Sequence, residues 1–132
     1  MELEIKTVLE IEDQDIEDIV VTALEGGIGY WACLDNTGAE FETAPKDEPI
    51  SITASKLLLA RKELKFIDEQ DDNVEYILTI DMLLEGIKLW IEKGYDCYGA
   101  VVGNLFDCGN IDAIGADMIF QFAMFGEWRY VW

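Results

Sequence analysis

Hydrophobic and polar positions alternate from the start of the chain. Leu3, Ile5, Leu9 and Ile11 fall on one side of residues 2–11, and Glu2, Glu4, Lys6 and Glu10 on the other, the period of a half-buried strand. The period then lengthens. Ile16, Ile19, Val20, Ala23 and Leu24 recur at helical spacing, which predicts a helix over residues 13–25, capped by Asp13 or a neighbour and closed by Gly26 and Gly27 as a left-handed C-cap. Residues 28–34 are short, aromatic and flanked by glycine, and read as a strand. Asp35, Asn36, Thr37 and Gly38 turn it into a second alternating stretch at residues 39–42. Residues 43–49 are polar and hold both prolines, the composition of a mobile loop. A short helix over residues 53–62 leads into a strand at 64–66, and Val74, Tyr76, Leu78 and Ile80 alternate in the next strand beyond an acidic hairpin tip at 68–73. Asp81 can cap a helix that turns Leu83, Leu84, Ile87 and Ile91 inward and ends at Gly94. Asn110 or Asp112 can cap a last helix through Phe125, followed by Gly126 and an aromatic tail at 128–132. The predicted fold is α+β: one domain over residues 1–132, an antiparallel sheet of about four or five strands packed with three or four helices.

Charge changes this picture most. Asp and Glu number 28 and Lys and Arg 9, with no histidine, for a formal charge of −19 on 132 residues of which 51% are hydrophobic. Such a chain is a folded domain carrying an acidic surface, not an acidic disordered tail. That surface repels phosphate, so direct binding to nucleic acid or anionic lipid needs a local basic site. The one candidate gathers Lys56, Arg61, Lys62 and Lys65, and reads as a solvated helix end complementing its dipole. Three cysteines, Cys33, Cys97 and Cys108, form no C-x-x-C pair and point to reduced thiols, with one bridge between Cys97 and Cys108 left open. The first residues lack a secretory pattern, and the apolar stretch at 118–125 is too short to span a bilayer, so a soluble cytoplasmic protein is expected.

The absence of histidine removes Ser-His and Cys-His nucleophilic sites and histidine-ligated metals. Neither 68–75 nor 107–117 has the spacing of an EF-hand loop, so no metal or other cofactor is expected. Gly26, Gly27 and Gly29 close a predicted helix where a phosphate cradle would open one, and Tyr30 and Trp31 beside them read as core and rim aromatics. Asp117, in a helix apolar nearly all round, is the carboxylate best placed for a shifted pKa and general acid or base work, although a thin polar stripe on a buried helix accounts for it more simply. The same helix and the tail present Phe122, Phe125, Trp128, Tyr130 and Trp132, more apolar surface than a small monomer needs, which suggests a homodimer through this end. The carboxylates themselves cluster: Glu10, Glu12, Asp13, Asp15, Glu17 and Asp18 form one group, and Asp68, Glu69, Asp71, Asp72 and Glu75 a second, each without an intervening base. Helix capping accounts for part of the first group but not for six acids in nine positions.

Three stretches, 21–31 (VTALEGGIGYW), 84–96 (LEGIKLWIEKGYD) and 110–127 (NIDAIGADMIFQFAMFGE), resemble a family of small acidic proteins encoded by phages and prophages of clostridia-like bacteria. The family has no assigned catalytic residues, so the resemblance implies a mobile-element context and carries no residue role. Small acidic phage proteins include inhibitors of host or defence machinery, anti-CRISPR proteins among them. The leading expectation is therefore a non-enzymatic inhibitor that mimics nucleic acid and binds a basic nucleic-acid-binding protein through the two carboxylate groups. A nucleotide-binding sponge for a defence signal would need a basic aromatic pocket drawn from Lys56, Arg61, Arg129, Tyr30 and Trp31, and a structural or assembly protein would use its charge only for solubility.

Overall fold

The last helix, in which polar positions are almost absent, organises the fold. In the computed structural model, which describes residues 1–4, 8–95, 101–102, 105–106 and 111–131, this helix runs Ala113–Phe125 (α5) and buries residues on every side, from Gly115 to Phe122. Asp112 is its N-cap, accepting a hydrogen bond from Gly115 N at 2.8 Å, and Gly126 closes it at φ 71°. Against α5 pack α1 (Asp13–Thr22) with its continuation as a π-turn (Ala23–Gly27), α4 (Ile80–Glu92), and the face of a three-stranded sheet. The sheet is formed by β1 (Ala32–Leu34), β2 (Leu64–Asp68) and β3 (Val74–Leu78), antiparallel in that order, with Cys33 opposite Ile67 and Phe66 opposite Tyr76. Phe66 meets Phe120 edge-on at 5.9 Å and Tyr76 meets Phe125 at 5.0 Å, so sheet and helix interlock through rings in the favoured geometry. A single turn, α2 (Ala39–Glu42), and α3 (Ile50–Leu59) connect β1 to β2, and β4 (Val101–Val102) and β5 (Leu105–Phe106) form a separate two-stranded ladder.

The fold is thus α+β, with five α-helices and a three-stranded antiparallel sheet among the described residues, one or two strands short of the predicted sheet. Two misread segments explain the shortfall. Residues 39–42 form α2, since four alternating residues cannot distinguish a strand from one helical turn, and Gly38 supplies an extended N-cap. Residues 1–4 and 8–12 carry no strand: Leu9 and Ile11 lie beside Leu84, Ile87 and Ile91 of α4, so their alternation answers to a helix face instead of a sheet neighbour. Ile5 and Lys6 of that stretch lie outside the described residues, as do Cys97, Cys108, Asn110 and Trp132.

Several boundaries also move for identifiable reasons. The strand expected over 28–34 is confined to Ala32–Leu34, because Ile28 O accepts hydrogen bonds from Trp31 N and Ala32 N in a turn. Glu12, the neighbour before Asp13, is the N-cap of α1, its N–H donating to Asp15 Oδ2 at 2.9 Å. Gly26 and Gly27 do not adopt a left-handed cap. Gly27 is there for proximity: a Cβ on it would stand 2.9 Å from the carbonyl oxygen of Ala113, at the first turn of α5. Thr79 replaces Asp81 as the cap of α4, its Oγ1 accepting from Met82 N at 3.2 Å. Among the described residues no helix is long and apolar enough to cross a membrane.

Candidate protein-binding surface

Of the first carboxylate group, Glu10 precedes α1, Glu12 caps it, and Asp13, Asp15, Glu17 and Asp18 lie on it outside the face that buries Ile16, Ile19 and Val20. Glu10, Glu12, Asp13 and Asp18 are exposed, and Asp15 and Glu17 half-buried. Adjacent carboxylates repel, and Gln14 offsets this locally: its Nε2 donates to Glu17 Oε2 and to Asp18 Oδ1, both at 2.8 Å. Four of these acids are held by a helix packed along α3 and α5, so their charges are displayed in a fixed arrangement.

The second group divides. Glu69, Asp71, Asp72 and Glu75 are exposed around the β2–β3 turn, where Asp72 (φ 47°) and Asn73 (φ 55°) take the left-handed conformation that Asp and Asn tolerate best. Asp68 does not belong to this surface. It has no exposure to solvent and accepts hydrogen bonds from Tyr130 OH (2.8 Å) at Oδ2 and from Gln70 N (2.9 Å) at Oδ1. The alternation of β2 explains this, since Leu64, Phe66 and Asp68 all point inward.

Asp68 is one end of a polar network that secures the tail, and Asp117 is the other. Asp117 Oδ1 accepts from Trp31 Nε1 (2.7 Å) and Gln121 Nε2 (3.0 Å), while Oδ2 accepts from Tyr30 OH (2.6 Å). Gln121 Oε1 accepts the backbone N–H groups of Arg129 (2.8 Å) and Tyr130 (2.7 Å), and Gln121 Nε2 reaches the Tyr130 carbonyl at 2.9 Å. Burial and the hydrogen bond to Asp68 push the Tyr130 phenol up to about 12, and burial with Asp117 raises Tyr30 above its ordinary range, so both remain donors at neutral pH. Asp117 is therefore an anchor whose oxygens are occupied by protein donors. The network also uses the aromatic end that was expected to meet a second copy: Phe122 is buried in the core, and Phe125, Trp128 and Tyr130 are half-buried against it.

Among the described residues, six cations sit beside carboxylates. Lys56 pairs with Glu48, Arg61 with Asp81 (3.5 Å), Lys62 with Glu40 (3.7 Å), Lys65 with Glu75 (3.8 Å), Lys88 with Glu92 (4.0 Å) and Arg129 with Glu127 (3.3 Å). The ammonium of Lys56, with the Thr53 hydroxyl, holds Glu48 below the usual carboxylate range. Four basic residues close in sequence thus make no basic site in space. The residues named for a nucleotide pocket are separately engaged as well: Trp31 is wholly buried, Tyr30 is bound to Asp117, and Arg129 stacks at 4.1 Å over Phe125.

A cleft of about 440 Å³ opens where the π-turn, β1 and the start of α3 meet. Leu24, Ile28, Leu34 and Ile50 supply apolar lining, and Glu25 and Glu69 add one carboxylate each from separate elements, with no Lys or Arg among the lining residues. Ser51 Oγ donates to Glu25 Oε1 at 3.0 Å and fixes that side chain. Sequence reasoning found Glu69 but missed Glu25; its place two turns beyond Asp18 on the same helical stripe was the available signal. Among the described residues no group of three or more Cys, Asp or Glu side chains is placed to hold a metal ion. Comparisons of this chain with protein-family models, with curated proteins and with solved structures find no match.

Proposed function

We propose that the chain is a non-enzymatic inhibitor that binds a basic, nucleic-acid-binding protein through its carboxylate surface, in the manner of a nucleic-acid mimic. One observation carries this reading: α1, a helix packed on α3 and α5, holds Asp13, Asp15, Glu17 and Asp18 outside its buried face with no Lys or Arg of its own, while six cations elsewhere among the described residues lie beside other carboxylates. A rigid display of like charges is unfavourable for folding and favourable for meeting a cationic groove, where it steers association. The sequence resemblance to phage and prophage proteins supports a host or defence protein, such as a CRISPR effector, as the partner. The buried, internally bonded state of Asp117 supports the non-enzymatic side of the reading, since the carboxylate singled out for acid or base work has both oxygens occupied by Tyr30, Trp31 and Gln121.

The test is capture from a clostridial lysate on the immobilised chain, elution along a salt gradient and identification by mass spectrometry. A basic nucleic-acid-binding protein should elute at moderate salt, and the triple substitution Asp13→Lys, Glu17→Lys, Asp18→Lys should slow its association by about tenfold or more and flatten the salt dependence. Unchanged association kinetics in that folded variant would overturn the reading.

A further inference from the structure

The cleft beside β1 offers more than charge. In the β1–β2 pair, Glu69 N donates to Trp31 O at 2.8 Å and Asp35 N to Lys65 O at 2.9 Å, so residues 31, 33 and 35 direct their backbone groups to β2. By the alternation of an antiparallel strand, Ala32 and Leu34 direct theirs away from β2, to the other edge. The Ala32 N–H is satisfied there by Ile28 O at 2.9 Å, which leaves the Ala32 carbonyl and the Leu34 amide facing the cleft. No strand lies beside that edge among the described residues. An edge that no described strand covers, apolar walls and two carboxylates in the lining are the elements of strand addition by a basic segment.

We propose that this cleft receives an extended Lys- or Arg-bearing segment of the partner protein, which adds beside β1 and sets its cationic side chains against Glu25 and Glu69. The inference rests on the proposed function and names the part of the partner that the surface holds after electrostatic encounter. Charge complementarity selects the occupant: with two acids and no base in the lining, an acidic or phosphorylated segment is repelled and a neutral one leaves both carboxylates uncompensated. The aliphatic stems of Lys or Arg suit Leu24 and Ile50, and their heads reach the rim. The short length of β1 limits the addition to a few residues, which suits a reversible contact.

Cys33 reports on the cleft, since it lines it and is exposed. The full chain is labelled with N-ethylmaleimide, with Cys33 followed by peptide mass spectrometry, alone and with the probe peptide acetyl-KVKVK-amide or its acidic counterpart acetyl-EVEVE-amide. The basic peptide should protect Cys33 and the acidic one should not. The isosteric pair Glu25→Gln, Glu69→Gln should weaken protection about tenfold, one modest ion pair per carboxylate. Glu69→Gln alone, which leaves the Ser51 contact intact, should give an intermediate value if the double variant unfolds. Cys33 labelling that is indifferent to saturating basic peptide, or equal protection by both peptides, would overturn the inference. Protection by spermidine but not by the peptide would overturn it too, replacing strand addition with simple cation binding. If partner capture still depends on Asp13, Glu17 and Asp18 while Cys33 is unprotected, the cleft inference fails and the proposed function stands. Loss of that dependence is the failure of the proposed function.

Discussion

Removing the Asp117 carboxylate tests whether the polar network holds the tail to the core. Asp117→Ala deprives three donors of their acceptor, but unequally. Tyr30 OH can turn to the Tyr130 carbonyl at 3.0 Å, and Gln121 Nε2 already reaches that carbonyl at 2.9 Å. Trp31 has no such recourse: Nε1 is the single donor of its side chain, the residue is wholly buried, and that donor bonds Asp117 at 2.7 Å. An orphaned indole N–H costs about 1–3 kcal/mol, and the unfilled volume of the carboxylate adds roughly 1 kcal/mol, for a total of about 2–4 kcal/mol. In a domain of this size that lowers Tm by about 6–16 °C. Asp117→Asn separates hydrogen bonding from charge, because its oxygen still accepts from Trp31 while its amide faces Tyr30, which must rotate; the loss should be about 1 kcal/mol. Urea unfolding followed by far-UV circular dichroism, with a thermal scan beside it, measures both. An Ala variant that melts within about 3 °C of the parent would refute the anchor, and an Asn variant as weak as Ala would mean that the buried charge, not its acceptor geometry, carries the stability.

Other consequences follow from single positions. A Cβ at Gly86 would lie 2.5 Å from the carbonyl oxygen of Ile119 and 2.9 Å from Ala123 N, both backbone atoms of α5, so Gly86→Ala should force α4 off α5 and destabilise the chain by about 1–3 kcal/mol in urea, where a neutral result would contradict the close helix crossing. Arg61 follows α3 at φ 61°, a left-handed position where Lys62 N closes on Leu57 O at 2.9 Å; Arg61→Gly should raise stability by a few tenths to about 1 kcal/mol, since its exposed pair with Asp81 contributes little, and a lower midpoint would assign more to that pair. The alkaline limit follows from Tyr130, whose folded phenol is pushed from 10.0 up to about 12. A raised folded value means that the folded state holds its proton more tightly, so this stabilisation is complete below pH 10 and is lost as pH rises toward 12. Stability measured across that window should fall less steeply in Tyr130→Phe than in the parent, and parallel curves would exclude Tyr130 as the cause.

The four longer helices were legible in the sequence because their signals are local and redundant. α5 had its apolar run, the Asp112 cap and Gly126; α1, α3 and α4 lie within a few residues of their expected bounds. β2 and β3 were legible because a hairpin couples two short runs through one turn. The segments that misled share a cause: period-2 alternation states that one side of a chain is covered, without saying by what. At Leu9 and Ile11 the cover is α4, and at residues 39–42 the repeat is too short to define a period.

The candidate surface was legible in composition but not in depth. A count of carboxylates treats Asp68 and Asp71 alike, yet one is sealed against Tyr130 and the other is exposed, because burial is decided by a strand parity and by an aromatic tail sixty-two positions away. The same long-range pairing turns Asp117 from a candidate acid into a structural acceptor and turns the aromatic end inward. The exposed acids fall in separate places: four on α1 or at its start, four around one turn, and Glu25 and Glu69 from separate elements in the lining of a cleft. Self-repulsion among these charges falls on the folded state, where they are fixed, more than on the unfolded chain, where they can spread. Lysine substitutions of the α1 acids should therefore leave stability equal or higher while weakening partner association, a split that acids serving only to stabilise the helix would not give.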